Sequence, residues 1–164
     1  MIRVIYVLII AGLVAIDRVT KIAAVSALKS GDTKEFLFGL FQLRYTENTG
    51  AAFSSFSDNK VILIVFTSLV IALCLFVLMT NKVRSKAASV CLLLIVSGGI
   101  GNLIDRVANG FVVDFIEPLF MNFAVFNVAD IFITVGGILL ICYEIYTLIS
   151  EKKQSKENKA EDND

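Results

Sequence analysis

The chain has 164 residues and is 57% hydrophobic with a mean hydropathy of +0.80, too apolar for a domain whose surface must face water. Lys and Arg balance Asp and Glu at 15 each, and no basic stretch or aromatic-rich basic patch stands out, so the charge gives no sign of a nucleic-acid partner. A membrane is the solvent this composition implies.

The first apolar segment, Val4 to Ile16, is short and follows Arg3, which also fits the apolar region of a secretory signal peptide. Val25, Ser26 and Ala27 resemble a cleavage site. Asp17, Arg18 and Lys21 lie between that core and that site, where signal peptides are normally uncharged, and the apolar run resumes at Ile22. The segment therefore reads as a retained membrane helix. In the link that follows, FQLRYT (41–46) alternates apolar with polar and ends in the turn-prone ENTG, predicting a short strand and turn. Val61 to Met79 carries no charge and approaches the roughly 20 residues that cross about 30 Å of hydrocarbon as a helix. A third span is predicted from about Ala87 to Ile104, and a fourth from about Val125 to Ile149, interrupted by Asp130 and Glu144. Glycines in SGGIG (97–101) and at 136 and 137 predict close helix packing. Cys74, Cys91 and Cys142 each fall within a predicted span without a CxxC pair and read as buried small hydrophobes.

The expected architecture is thus an all-α polytopic membrane protein of four transmembrane helices. Residues 1–150 form one domain, and 151–164 a charged cytoplasmic tail without regular structure. Lys82, Arg84 and Lys86 crowd the link between spans two and three. Lys152, Lys153, Lys156 and Lys159 follow span four, while only Arg106 lies between spans three and four. The excess of positive charge on cytoplasmic links places both termini in the cytoplasm.

With that topology, the polar residues that interrupt apolar sequence gather near the outer leaflet: Asp17 and Lys21, then Asn102, Asp105 and Arg106, then Asp130. The link bearing ENTGAAF (47–53) is outside as well. Residues three and four apart share a helical face, which pairs Asp17 with Lys21, Asn102 with Asp105 and Arg106, and Asn127 with Asp130. Costly polar groups on several helices at one depth suggest a shared polar pocket, although structural ion pairs such as Asp17 with Lys21 are the plainer alternative. Asp114 and Asp130 have no basic neighbour in sequence, and Arg106 could reach them only through space.

The chain has no histidine, which removes Ser-His-Asp triads, histidine-ligated zinc and the Ser-His dyad of rhomboid-type proteases. A Ser-Lys dyad remains formally open, with Lys21 as base and Ser54 or Ser97 as nucleophile. Two aspartates suffice to hydrolyse a peptide bond without a metal or a covalent intermediate. Held close in a low-dielectric site, one stays protonated as acid while the other acts as base toward water. Asp114, at the entry to a loop returning to the membrane with Pro118 as its turn, and Asp130 on span four could meet at one depth.

Five stretches in order resemble the bacterial lipoprotein signal peptidase, or signal peptidase II, family: DRVTK (17–21), NTGAAF (48–53), GNLIDR (101–106), VVDF (112–115) and FNVAD (126–130). The combination is highly specific. The resemblance implies an aspartic endopeptidase of the bacterial cell membrane that removes the signal peptide from prolipoproteins. Cleavage falls before the lipobox cysteine once that residue carries a diacylglyceryl group. It further implies Asp114 and Asp130 as the catalytic dyad, near the extracytoplasmic face. Asp17, Lys21, Asn48, Gly50, Asn102, Asp105, Arg106 and Asn127 line or support the site, with Asn48, Gly50 and their AAF neighbours over the substrate. No cofactor or metal is implied, the partners being lipidated prolipoproteins and membrane lipid, and the chain is expected to be a monomer. The family fold adds a small extracytoplasmic β-cradle and a short interfacial helix.

Two other classes fit parts of the pattern. A small transporter could use Asp17, Asp114 and Asp130 for protons or cations, yet Glu144 is the lone acid in the inner half of the predicted spans. A purely structural membrane protein would tolerate Asn at both aspartates. The GxGD signature of presenilin-type proteases is missing, since GIGN (99–102) has Asn where the acid belongs.

Overall fold

The computed structural model describes residues 1–50, 60–80, 83 and 85–161. Four helices and three strands follow in the order α1 (Ile2–Leu28), β1 (Lys34–Phe36), β2 (Phe41–Asn48), α2 (Lys60–Met79), α3 (Lys86–Asn109), β3 (Val112–Pro118) and α4 (Val128–Glu161).

Three of the helices, α2, α3 and α4 as far as Ser155, are long and apolar enough to cross a membrane. α1 is longer than two of them at 27 residues, but Asp17, Arg18 and Lys21 interrupt its second half. α2 presents Val61, Phe66, Leu69, Leu73 and Phe76 outward, an exposed apolar surface that only lipid would favour.

Helix ends follow local chemistry. Ser85 caps α3 by accepting the Ala88 N–H, and Gly110 ends it with φ 80°, a left-handed conformation that glycine adopts without steric cost. α3 and α4 pack most intimately, because a Cβ at Gly98 would collide with the Ala129 carbonyl and one at Gly136 would lie 2.7 Å from the Cys91 carbonyl. Gly137 faces open space, so only part of the expected glycine packing is found. Around this seam, Ile71, Leu78, Leu92, Leu93 and Val96 form one buried cluster, and Ala24, Leu28, Val113 and Phe115 form a second beneath the sheet.

The sheet is antiparallel in the order β1-β2-β3, with Lys34 opposite Leu43 and Asn48 opposite Val112. A register shift between Leu43 and Thr46 puts Thr46 opposite Asp114. β2 is the strand expected from FQLRYT. β3 replaces the expected returning loop: VVDF and its neighbours are covered on both sides and carry no alternation to betray a strand.

Two further expectations are corrected. α4 continues as helix to Glu161 through residues expected to lack regular structure, since Glu, Lys, Gln and Ala are good helix formers and an existing helix bears no nucleation cost. Cys91 is buried, but Cys74 is half-buried and Cys142 lies on the exposed face of α4. The short interfacial helix expected in the first link does not fall among its described residues, and 51–59 lie outside them. Ala51 to Phe53, Ser54, Lys82 and Arg84 lie outside the described residues.

Candidate active site

Asp114 and Asp130 arrive from different element types. Asp114 stands on β3, where pairing with β2 sets Asn48 within reach, and Asn48 Nδ2 donates to Asp114 Oδ2 at 2.9 Å. Asp130 stands in the first turn of α4. There Asn127 Oδ1 accepts the Asp130 N–H at 3.0 Å, and Asp130 Oδ2 accepts the Asn127 N–H at 3.1 Å. This reciprocal cap satisfies two donors that a helix start otherwise leaves free, and the positive end of the helix dipole favours the carboxylate.

Asn127 also links the two acids. Its Nδ2 donates to Asp114 Oδ1 at 2.6 Å and to Asn102 Oδ1 at 3.1 Å, and Asn102 Nδ2 donates to Asp130 Oδ1 at 2.7 Å. All four carboxylate oxygens therefore accept from a neutral amide or a backbone N–H. Burial is the main force that pushes the Asp114 carboxyl up to about 6, and the negative charge of Asp130 adds to it. The amides of Asn48 and Asn127 pull the other way.

Behind this layer lies a buried ionic cluster. Lys21, 1% exposed, donates its ammonium to Asn102 Oδ1 at 2.9 Å and lies within ion-pair distance of two carboxylates, 3.0 Å from Asp17 Oδ2 and 2.9 Å from Asp105 Oδ2. Asp17 Oδ1 accepts the Ala129 N–H at 3.1 Å, which fastens α1 to the start of α4. Asp105 accepts the Val113 N–H at 3.3 Å and pairs with Arg18. Two carboxylates and two cations leave the cluster neutral, the condition under which buried charge is tolerated. Gly101 is the floor beneath Asp17, since a Cβ there would collide with that carboxylate.

The structure links all ten residues singled out in the sequence. From Arg106, whose Nη2 donates to the Gly50 carbonyl at 2.9 Å, the network passes from the Gly50 N–H to Asn48 Oδ1 at 3.0 Å. It then runs through Asp114, Asn127, Asp130 and Asn102 to Lys21, Asp17 and Asp105. Arg18 was not foreseen, because it sits beside Asp17 in sequence and off the face that Asp17 shares with Lys21; its signal was a second cation near an acid-rich stripe. Ala129, whose role is a backbone N–H, leaves no side-chain signal. A Ser97-Lys21 dyad has no support, because the Ser97 hydroxyl donates to the Leu93 carbonyl at 2.7 Å and Lys21 is held between two carboxylates.

Asp114 and Asp130 both line a cavity of about 410 Å3. Asn48, Asn102 and Arg106 are its other polar boundaries apart from Thr134, one turn beyond Asp130, and the wall is apolar, built from residues 123–126 and from Ile131, Ile133 and Val135 of α4. Two acids on a mostly apolar cavity suit an extended substrate with both peptide and hydrocarbon character.

The model of the signal peptidase (SPase) II family matches residues 9–146. Similar proteins include the lipoprotein signal peptidases of Streptococcus pyogenes serotype M2 (strain MGAS10270) and serotype M5 (strain Manfredo). They are 45% and 44% identical over 129 residues, covering 79% of this chain and 85% of theirs. Two solved structures, described as a bacterial membrane enzyme by the in meso method at 2.3 and 1.9 Å resolution, are also similar. The first has a TM-score of 0.80 at 30% identity, covering 86% of this chain and 87% of its own. The second has a TM-score of 0.75 at 31% identity, covering 84% and 90%.

Proposed function

The chain belongs to the signal peptidase II family, and from that premise we propose an aspartic endopeptidase that cuts prolipoproteins immediately before the diacylglyceryl-modified lipobox cysteine. It is a peptidase and a multi-pass protein of the bacterial cell membrane, acting on prolipoprotein signal peptides. In this reading α1 is a fourth crossing, both termini are cytoplasmic, and the three-stranded sheet is the extracytoplasmic cradle above the site. The protein works as a monomer and needs no cofactor.

The observation that carries the reading is the pair of aspartates on one cavity, bridged by Asn127, with Asp114 biased toward its protonated form. Ionised Asp130 takes a proton from water as the water oxygen bonds to the scissile carbonyl carbon, and Asp114 gives its proton to the carbonyl oxygen. When the tetrahedral intermediate collapses, the C–N bond breaks, the cysteine nitrogen takes the proton from Asp130, and Asp114 recovers one from a hydroxyl of the intermediate. Each carboxyl ends as it began.

Asn48, Asn102 and Asn127 hold the carboxylates, and Arg106 secures the chain at Gly50 over the cavity. Asp17, Lys21 and Asp105 brace that layer from behind. The apolar wall explains why a lipidated substrate would be preferred, its acyl chains lying among the spans while the peptide enters from the outer leaflet. Incubating the purified protein with matched peptides, with and without the diacylglyceryl group, and weighing the products tests this. A product that begins at the lipidated cysteine, with the unmodified peptide cut far more slowly, is expected; cleavage elsewhere, or equal rates on both peptides, would overturn it.

A further inference from the structure

The turn between β1 and β2 is built at a conformational cost. Leu37 and Phe38 stand at φ 51° and 58°, followed by Gly39 at 79°. Glycine adopts that region freely, whereas bulky side chains are strained in it. The strain leaves Phe38 fully exposed, at 105%, with Leu37 and Leu40 about half exposed. Among the described residues nothing covers this ring, which points to a compensating contact beyond them.

A second loop lies against the first. The Leu119 N–H donates to the Leu40 carbonyl at 2.8 Å, and Phe120 packs edge-on against Phe41 at 5.5 Å between ring centres. Leu119, Phe120, Met121 and Phe123 are themselves exposed, so the two loops form one contiguous apolar patch. Neither Phe36–Phe41 nor Pro118–Ala129 contains a charged residue, while the rest of the sheet carries Lys34, Glu35, Arg44, Glu47, Asp114 and Glu117. The Leu40 N–H donates to the Leu37 carbonyl at 3.2 Å and its carbonyl accepts from Leu119, so both backbone groups of Leu40 are satisfied within the two loops while the side chains offer hydrocarbon outward.

The position of the patch selects its occupant. The second loop runs through Phe123 and Phe126, whose rings meet edge-on at 6.3 Å, into the cavity wall and then into α4, which crosses the membrane. The patch thus continues the lipid-facing surface of the molecule. We propose that loops 37–40 and 119–123 insert into the acyl-chain region of the leaflet on that side, fixing the height of the sheet that carries Asn48 and Asp114. This goes beyond the peptidase reading and does not depend on it.

The chain has no tryptophan, so Phe38→Trp introduces a single indole reporter. The full-length variant would be reconstituted in phosphatidylcholine and phosphatidylglycerol vesicles whose acyl chains are brominated. Phe66→Trp on the exposed face of α2 serves as the immersed reference and Asp32→Trp, exposed in the link between α1 and β1, as the aqueous one. Blue-shifted emission, quenched by bromolipid as in the immersed reference and little affected by aqueous iodide, is expected. Emission like that of the aqueous reference, quenched by iodide alone, would overturn the proposal. So would blue-shifted emission insensitive to both quenchers, which would place the ring against a protein, such as a second copy of this chain. Met121→Trp on the second loop gives an independent reading and must agree.

Discussion

The side-chain amide of Asn127 donates to Asp114 Oδ1 at 2.6 Å, while the backbone N–H of the same residue donates to Asp130 Oδ2 at 3.1 Å. One residue therefore sets the distance and orientation between the two acids. Asn127→Ala removes the side-chain bonds to Asp114, to Asn102 and to the Asp130 N–H. Hydrogen bonds to charged groups contribute about 1.5–3 kcal/mol each, so kcat/KM should fall about 100-fold. Loss of the helix cap should lower stability by about 1 kcal/mol. Steady-state kinetics with thermal unfolding in detergent checks both, and a variant with unchanged kcat/KM would remove Asn127 from its bridging role.

The elevated Asp114 carboxyl makes a signed prediction. Its folded value of about 6 lies above the ordinary 3.8, so its contribution to stability is complete below about 3.8 and is lost as pH rises through about 6. At neutral pH that loss amounts to about 3 kcal/mol. Asp114→Asn should accordingly gain stability relative to the wild type between about pH 4 and pH 7. Wild-type kcat/KM should fall as pH rises through the same value, because the acid must be protonated. A pH series of melting curves for both proteins, with wild-type kinetics alongside, reads the two effects separately.

Gly101 and Gly137 lie on packed helices and should respond oppositely to alanine. At Gly101 a Cβ would collide with the Asp17 carboxylate, so Gly101→Ala should destabilise by about 1–3 kcal/mol. At Gly137 no atom lies within 4 Å, so Gly137→Ala should be neutral or should stabilise by up to about 1 kcal/mol. Paired unfolding curves decide it, and equal effects would contradict the packing described for α3.

Lys21→Met leaves Asp17 and Asp105 facing each other with Arg18 as the remaining cation. Breaking a buried ion pair on one side typically costs about 3–5 kcal/mol, a loss that melting temperature should register. Lys21→Met combined with Asp17→Asn removes one charge of each sign and should recover part of it. No recovery would mean that Lys21 acts through packing alone.

How far the sequence reveals this molecule depends on which force shapes each part. The apolar lengths of α2, α3 and α4 were legible because the bilayer demands uncharged residues in long runs. α3 extends beyond the expected Ile104 to Asn109, since Asn102, Asp105, Arg106 and Asn109 recur at helical spacing and only Gly110 stops them. β3 was not legible, because a strand covered on both faces shows no alternation and Asp114 looked like the edge of a loop. The ten residues proposed for the site were singled out by their resemblance to family motifs and by helical spacing. How they connect was not, because Asn48 meets Asp114 only through strand pairing and Asn102 meets Asp130 only where glycines let α3 and α4 approach.

The central claim is that Asp114 and Asp130 together cut the peptide bond. The most direct measurement is cleavage of a diacylglyceryl-modified prolipoprotein peptide by the wild type, Asp114→Asn and Asp130→Asn, each first shown by thermal unfolding to be folded in detergent. The wild type should release a product beginning at the lipidated cysteine, and each variant should be slower by on the order of 10³-fold or more. Normal cleavage by either folded variant would mean that its aspartate only supports the structure and that the dyad mechanism is wrong.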